Sequence, residues 1–313
     1  MVTKFDIQSG LNKPHSGDNP ALDKLIRGSI KRKARTSPAP SSCLTHPWNE
    51  SLFFLNKSQL YKALNDEDKI AILTACNNFI LSESYFIEKA GLGYCAKMIL
   101  LGDSTEIRQM YGLIASDESV HLQWLSPFVP QNLRTAPQGK FIYAVSSMIE
   151  QCDLNTLFYL VQTILEGWGV SYYKTLAATC QREDLKAVLS NIVKDEAIHH
   201  QTGLALFSLD NTSPTTQKQL IEGMQTYCEI LKVGAQNIVQ CVENVVGELS
   251  TGELIKLFRD LQTELSGKFK LGVLKSIMTQ PAMLPFIQQL EDKGYFKPYS
   301  AEKCADIYIE QRN

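Results

Sequence analysis

Hydrophobic residues recur along most of this chain at intervals of three and four positions, which is the spacing of one face of an α-helix. The first long stretch has this spacing at Ile70, Leu73, Ile80, Leu81, Ile87 and Leu92. Alternation of apolar and polar residues, which is typical of a half-buried strand, is not sustained for long in the sequence. The pattern therefore predicts an all-α fold with almost no strand.

Interruptions in the pattern predict where these helices begin and end. Asn65 and the acidic residues after it favour a helix start, and the breaker cluster at 210–214 favours an end. Four long helices are predicted to form a four-helix bundle core over about 65–210, at 65–101, 103–126, 153–179 and 183–209. A short helix is predicted at about 140–151. Additional C-terminal helices are expected over 214–313, the longest at 214–248 and 251–278.

The beginning of the chain has a different character. Residues 1–50 are rich in Pro, Ser, Gly, Asn and Lys and have no sustained period, so a polar, flexible N-terminal segment is predicted. Residues 51–313 are predicted to form a single all-helical domain. A basic run at 24–35 is interpreted as a solvated tail, with a docking patch for an acidic partner as the alternative.

The composition of the chain reduces the number of functional classes to consider. The chain has 313 residues, 44% of them hydrophobic, which is enough for a sizeable core, and its net charge of −2 gives no bias toward nucleic acid or membrane. The sequence pattern indicates neither a spanning helix nor a secretory signal, so a cytoplasmic protein without nucleic-acid or membrane partners is expected. The eight cysteines contain no C-x-x-C pair, which favours buried thiols over disulfides or a zinc site.

The most informative chemistry lies in a repeated stretch. Residues 114–122 and 192–200 each contain Asp-Glu-x-x-His, with Glu118 and His121 in the first copy and Glu196 and His199 in the second. Residues three apart on a helix lie on one face, one turn from each other. Each copy therefore presents a carboxylate beside an imidazole, which is half of a metal site.

The repeat extends upstream to a further glutamate in each half. Glu88 precedes Glu118 by 30 positions and Glu166 precedes Glu196 by 30, and both are followed by the same Gly-x-x-Tyr pattern. A helix of about 14 residues spans about 20 Å, so a hairpin of this length returns its second ligand to the height of the first. Two facing hairpins are therefore expected to form a two-metal cage from Glu88, Glu118, His121, Glu166, Glu196 and His199.

The chemical types of the six predicted ligands indicate which metal ions they would bind. Carboxylate oxygens and imidazole nitrogens without thiolate suit a divalent first-row ion, iron first and manganese next. Asp117 and Asp195 precede the ligand glutamates and are predicted to accept the remaining imidazole N–H of the histidine on the other hairpin, with a surface salt bridge as the alternative. Gly91 and Gly169 each cost about 1 kcal/mol of helix propensity, which indicates close packing or open space near the metals.

The double pattern of Glu88 with Asp117-Glu118-x-x-His121 and Glu166 with Asp195-Glu196-x-x-His199 resembles the ferritin-like di-iron carboxylate superfamily, in particular its oxygenase branch. Chain length, the polar N-terminal lead and the extra C-terminal helices loosely resemble the p-aminobenzoate N-oxygenase family. The resemblance implies two Fe ions, or one Fe and one Mn, with O2 as co-substrate. It also implies an external electron donor, either a ferredoxin or a flavoprotein reductase.

The sequence departs from other branches of that superfamily. Ribonucleotide reductase small subunits and bacterial multicomponent monooxygenases usually have Arg before the motif histidine, where this chain has Val120 and Ile198. Leu125 occupies the position expected for a radical tyrosine, and the C-x-x-C unit typical of rubrerythrins is missing from the sequence. These departures leave the metal assignment in place and make the substrate class harder to infer.

The leading functional hypothesis is an O2-dependent monooxygenase or oxidase that acts on a small organic substrate. An amine is the first expectation, with hydroxylation and oxidative cleavage as other outcomes, and residues 214–313 are expected to cover or line the pocket. A ferroxidase or peroxide-scavenging protein is the first alternative, and a metal-free helical interaction protein is the second. The sequence leaves open the substrate and whether the chain forms a homodimer.

Overall fold

The protein is described by a computed structural model over residues 46–137, 139–210 and 212–312. Helices dominate these ranges, which contain no β-strand, so the all-α prediction is confirmed. The basic run at 24–35 and most of the N-terminal segment predicted to be flexible lie outside the described residues.

Two helical hairpins form the centre of the structure, and their closest backbone contact is between the second helix of each. The first hairpin follows the short helix α1 (Gln59–Ala63) and consists of α2 (Asp66–Leu101) and α3 (Thr105–Leu125). After α4 (Lys140–Gln151), the second hairpin consists of α5 and α6 (Glu183–Leu206). Helix α5 is one continuous run of Leu154–Leu157, a π-helical segment Phe158–Leu165 and Glu166–Thr179. All four long helices lie close to their predicted ranges.

Side-chain caps explain where three of these helices begin. The Asn65 side chain accepts a hydrogen bond from the Asp68 backbone N–H at 2.9 Å before α2. The Ser104 side chain accepts a hydrogen bond from the Ile107 backbone N–H before α3. Asp153 accepts from Thr156 at 2.8 Å before α5. Each cap satisfies a backbone donor that has no partner inside its own helix.

The segment before α1 ties the two hairpins together. The Trp48 backbone N–H donates to the Asn77 side chain on α2 at 2.9 Å, and its indole N–H donates to the Leu176 carbonyl on α5 at 2.9 Å. Trp48 is almost completely buried. Pro47 disfavours helix in the residue before it, so the chain crosses the bundle here in a non-helical conformation.

The C-terminal part contains more and shorter helices than predicted. The described elements are α7 (Pro214–Lys232), α8 (Gln236–Val246), α9 (Thr251–Asp260), α10 (Thr263–Met278), α11 (Leu284–Asp292) and α12 (Ala301–Arg312). The predictions of single helices at 214–248 and 251–278 are therefore wrong. Gly234 and Gln262 have positive φ angles of 74° and 55°, and an α-helix cannot continue through such residues.

Helices α7 and α10 brace the π-helical segment of α5. The Tyr227 hydroxyl on α7 donates to the Leu160 carbonyl at 2.9 Å. The Tyr159 hydroxyl within the segment donates to the Met278 carbonyl at the end of α10, at 2.5 Å. A π segment widens the helix and is frequently found at functional sites. This one ends immediately before Glu166.

Helix α2 is long and apolar enough to cross a membrane by length and composition. A core helix of a soluble protein satisfies the same criterion. The buried face of α2 lies within the bundle and includes Glu88, which is 1% exposed, together with Tyr85 and Tyr94. Packing in the bundle thus accounts for part of its apolar character, while Ile70 and Leu100 on the same helix are exposed.

The described cysteines are free and buried, as the sequence predicted, and they are Cys76, Cys95, Cys152, Cys180, Cys228, Cys241 and Cys304. Cys43 lies outside the described residues. Burial raises the pKa of the Cys152 thiol to about 11 and that of Cys228 to about 12. Both therefore remain neutral thiols near pH 7.

Candidate metal centre

The six predicted ligands meet at one level of the bundle and form two overlapping groups. In each group the ligand atoms lie within 4.8 Å of one another, and all the residues are buried. The His121 position consists of Glu88, Glu118, His121 and Glu196. The His199 position consists of Glu118, Glu166, Glu196 and His199. The three-residue spacing within α3 and α6 places each histidine beside its own glutamate.

Glu118 and Glu196 belong to both positions. Glu118 places one oxygen 3.8 Å from His121 Nδ1 and the other 3.2 Å from His199 Nδ1. Glu196 places its oxygens 3.6 Å from His121 Nδ1 and 3.8 Å from His199 Nδ1. Each carboxylate thus faces both histidines, whose ring centroids are 6.1 Å apart. Both carboxylates could therefore be shared by two metal ions, if one ion were held at each position.

Glu88 and Glu166 each belong to one position only. Glu88 Oε2 lies 3.0 Å from His121 Nδ1, and Glu166 Oε2 lies 3.6 Å from His199 Nδ1. Glu88 comes from the first helix of its hairpin and Glu166 from the first helix of the other. The 30-residue spacing therefore places equivalent carboxylates at the two ends of the cluster.

The predicted aspartates lie behind the histidines of the opposite hairpins. Asp195 Oδ2 is 3.2 Å from His121 Nε2, within hydrogen-bond distance. Asp117 Oδ2 is 3.7 Å from His199 Nε2. In both cases the aspartate faces Nε2, and Nδ1 faces the glutamates. A proton on Nε2 leaves Nδ1 available as a metal ligand.

Burial and mutual proximity perturb the pKa values in the cluster. Burial raises the pKa of Glu88 to about 7, although His121 opposes this shift. Burial and the neighbouring Glu166 raise the pKa of Glu196 well above its ordinary value. Burial alone would raise the pKa of Glu118, but the two histidines lower it below its ordinary range. Without a cation, the cluster thus retains protons to offset its buried carboxylates.

The residues fit a pair of metal ions. Within the described part of the chain, both ring nitrogens of His199 are buried and lack a hydrogen-bond partner. Leaving such atoms unsatisfied costs about 1–3 kcal/mol each. A cation between His199 Nδ1 and the three glutamates around it would satisfy one of these nitrogens and neutralise carboxylate charge. Oxygen and nitrogen ligands without thiolate suit iron or manganese.

A cavity of about 30 Å³ lies on the carboxylate side of the cluster. Its apolar walls are formed by Ile87, Val145, Ile149, Val161 and Leu165. A water molecule needs about 10–15 Å³ by this measure, so the space holds about two waters or a diatomic molecule. The lining residues all come from α2 to α6, so residues 214–313 do not line this cavity. Of the expected roles of covering or lining the pocket, only covering agrees with the structure, because α7 and α10 pack on the part of α5 that forms one wall.

Two features of the site are missing from the sequence interpretation. The Tyr173 hydroxyl donates a hydrogen bond to Glu88 Oε1. Helix α4 contributes Val145 and Ile149 to the cavity wall. Tyr173 follows Glu166 by seven positions, which is two helical turns, so its place on the ligand face can be deduced from spacing. The position of α4 depends on tertiary packing and has no comparable signal.

Tyr94, Tyr172 and His200, which lie within six positions of a ligand in the sequence, do not belong to the two ligand groups. The Tyr94 hydroxyl pairs with that of Tyr111 at 3.1 Å, and Tyr94 also lines the cavity. The Tyr172 hydroxyl donates to Glu83 at 3.4 Å, so Glu83 has its own partner away from the metal groups. His200 Nδ1 lies 2.8 Å from the Thr163 carbonyl.

Gly91 and Gly169 make room for the two shared carboxylates. A Cβ atom on Gly91 would lie 2.9 Å from Glu118 Oε2, which is closer than real contacts allow. A Cβ atom on Gly169 would lie 3.4 Å from Glu196 Oε2, which is an ordinary contact. The repeated glycines thus serve equivalent purposes, with the tighter fit in the first hairpin.

Replacing Gly91 by alanine is therefore expected to displace the Glu118 carboxylate and to lower metal affinity at least tenfold. Gly169→Ala should have a smaller effect on affinity. Gly112→Ala on α3 is the control because a Cβ there meets nothing within 4 Å. The Gly169 and Gly112 variants should each gain up to about 1 kcal/mol of helix stability. Equal metal affinity in the Gly91 and Gly169 variants, measured by equilibrium dialysis with Mn²⁺, would contradict this account.

The cluster combines histidines, glutamates and aspartates from both hairpins. Such a donor set, buried in the middle of a helical bundle, could hold two metal ions. Comparison with protein-family models, with curated proteins and with solved structures finds no match.

Proposed function

We propose that this chain is a ferritin-like di-iron protein that reacts with O2 and oxidises a small organic substrate. The observation that carries the proposal is the pair of carboxylates, Glu118 and Glu196, that each face both histidines. Two Fe(II) ions, if bound by these residues, would supply two electrons for the reduction of O2. Iron is the expected metal, and a mixed iron and manganese pair is the alternative.

The chain's own residues prepare this chemistry. Glu88 and Glu166 hold the two ends of the cluster, and the buried Asp195 orients His121. Apolar side chains form part of the wall of the small space beside the cluster and limit it to about two waters or one diatomic molecule. Because the ligands are buried, their charges would act at a lower dielectric than in water, which would strengthen their hold on cations. O2 is small and apolar and suits this space.

An organic substrate requires more space than the cavity beside the cluster provides. An amine of drug-like size requires a pocket of several hundred Å³, far more than the cavity provides. Substrate binding would therefore require α4, which supplies Val145 and Ile149, to move away from the cluster. Electrons would come from a ferredoxin or flavoprotein reductase, because the sequence has no nucleotide-binding fingerprint and no iron–sulfur cysteine set.

The small cavity favours a second candidate function. A ferroxidase or peroxide-scavenging protein needs space for O2 or H2O2 beside the metals and no organic pocket. The cavity of about 30 Å³ meets that requirement as it stands. This candidate uses the same metal ligands, so the two functions differ only in what is oxidised.

Measurement of oxygen consumption distinguishes the oxygenase from the ferroxidase or peroxide-scavenging protein. The protein loaded anaerobically with two Fe(II) per chain is mixed with O2, and uptake is followed with and without a panel of small organic molecules, amines first. Faster uptake with one compound, together with an oxidised product identified by mass spectrometry, supports the oxygenase. Rapid turnover of added Fe(II) or peroxide that ignores the whole panel supports the second candidate. A protein that binds no metal would leave only a helical interaction protein.

A further inference from the structure

The two metal positions are equivalent in the sequence repeat but differ in their surroundings. Each residue around the His121 position has a counterpart 78 positions away around the His199 position. Tyr173 and Cys95 are such a pair, seven positions after Glu166 and Glu88. The ligands match across the repeat, whereas the side chains that hold the ligands do not.

The ligands of the His121 position are fixed by two buried partners. Asp195 lies 3.2 Å from His121 Nε2, and its side chain is 4% exposed. Tyr173 donates its hydroxyl proton to Glu88, whose side chain is 1% exposed. Both the imidazole ring and the terminal carboxylate are therefore held in place before a metal arrives.

The His199 position is held less firmly and is nearer to solvent. Asp117 lies 3.7 Å from His199 Nε2, beyond hydrogen-bond distance, and its side chain is 30% exposed. The side chain of the terminal ligand Glu166 is 10% exposed. The counterpart of Tyr173 is Cys95, and a thiol is a much weaker hydrogen-bond donor than a phenol.

We propose that the two positions bind metal with unequal affinity, so that the His121 position fills first and the His199 position holds a more weakly bound, exchangeable ion. This inference rests on the proposed function, in which the chain holds two ions. Hydrogen-bond partners of metal ligands typically change metal affinity by about 10- to 100-fold. The dissociation constants of the two positions are therefore expected to differ by about that factor.

The test is an anaerobic titration of the metal-free full-length chain with Mn²⁺, followed by calorimetry and by electron paramagnetic resonance. Two separate binding steps are expected. One equivalent should give the spectrum of isolated Mn²⁺, and the second should convert it to that of a coupled pair. Glu88→Ala should remove the tight step and Glu166→Ala the weak one.

A matched pair of variants tests the cause of the difference. Asp195→Ala should weaken the tight step about tenfold, whereas Asp117→Ala should leave that step unchanged. Tyr173→Phe should also weaken the tight step, and it removes only a hydroxyl. Circular dichroism before titration verifies that each variant is folded.

Four outcomes would overturn the inference. Two steps of equal affinity in the wild-type chain would contradict it, as would loss of the tight step in Glu166→Ala or Asp117→Ala. Equal affinities combined with normal O2 consumption would leave the proposed function standing. A chain that binds no metal would overturn both.

Discussion

Replacing Glu118 by alanine is expected to empty both metal positions, whereas replacing Glu88 should empty one. Glu118 belongs to both ligand groups, with one oxygen toward each histidine. Its removal takes a carboxylate from each position and leaves the remaining ligands too few to hold either ion firmly. Glu88 belongs to the His121 position only, so its loss leaves the His199 position with all four of its ligands.

Metal content after anaerobic loading with Fe(II) and desalting measures this difference. The wild-type chain should retain about two ions, Glu88→Ala about one and Glu118→Ala close to none, as expected for a dinuclear bundle site. Glu83→Ala is the control, because Glu83 lies on the same helix but bonds to Tyr172 instead of joining the cluster. Two ions retained by the Glu118 variant, or a loss in the Glu83 variant as large as that in Glu88→Ala, would show that the ligands are assigned incorrectly.

Metal loading of both positions is expected to raise the thermal unfolding temperature by about 10–20 °C. Glu88, Glu118, Glu166 and Glu196 are buried together, and without cations their charges repel or require protons. A ligand at 100 times its dissociation constant stabilises the folded state by about 2.7 kcal/mol per site. Each kcal/mol raises the unfolding temperature of a domain of this order of size by about 2–4 °C.

Differential scanning calorimetry of the chain with excess Mn²⁺ and with a chelator tests this stabilisation. The Glu118→Ala variant serves as the control, since its unfolding temperature should not respond to Mn²⁺. A Zn²⁺ ion bound by cysteine would raise the unfolding temperature of the wild-type chain and of the Glu118→Ala variant equally. It would thereby be distinguished from a metal bound by the glutamates and histidines of the cluster. An unfolding temperature that is the same with metal and with chelator would rule out a metal centre that contributes to folding.

The ligand repeat and the long helices follow from the sequence because helical spacing controls both. Positions 30 apart return to one height when a hairpin has two nearly equal arms, and this places Glu88 beside Glu118 without knowledge of the packing. Spacing does not determine which carboxylates are shared. That depends on how one hairpin is rotated against the other, and the rotation places Glu118 and Glu196 between the histidines.

Other features arise from contacts between segments distant in sequence. The break at Gly234 lies inside an apolar pattern that predicts continuous helix, and it is positioned by the Thr263 side chain, which leaves no room for a Cβ atom. The π-helical segment of α5 is supported by Tyr227 and by the end of α10. Neither interaction can be deduced from the local sequence pattern. For this reason the predicted helix at 214–248 is wrong and the π segment is not predicted.

The sharing of Glu118 and Glu196 has a consequence for the order in which the molecule assembles. Neither hairpin contains a complete metal position, because each position takes one glutamate from the opposite hairpin. A complete metal position can therefore form only after the two hairpins have docked, late in folding. The chain must close a long loop before it gains any free energy from metal binding. A bound pair of ions would cross-link the two hairpins, in addition to their apolar packing and the hydrogen bonds that Tyr172 and Tyr173 donate across the interface. Such a cross-link would be expected to slow the separation of the hairpins.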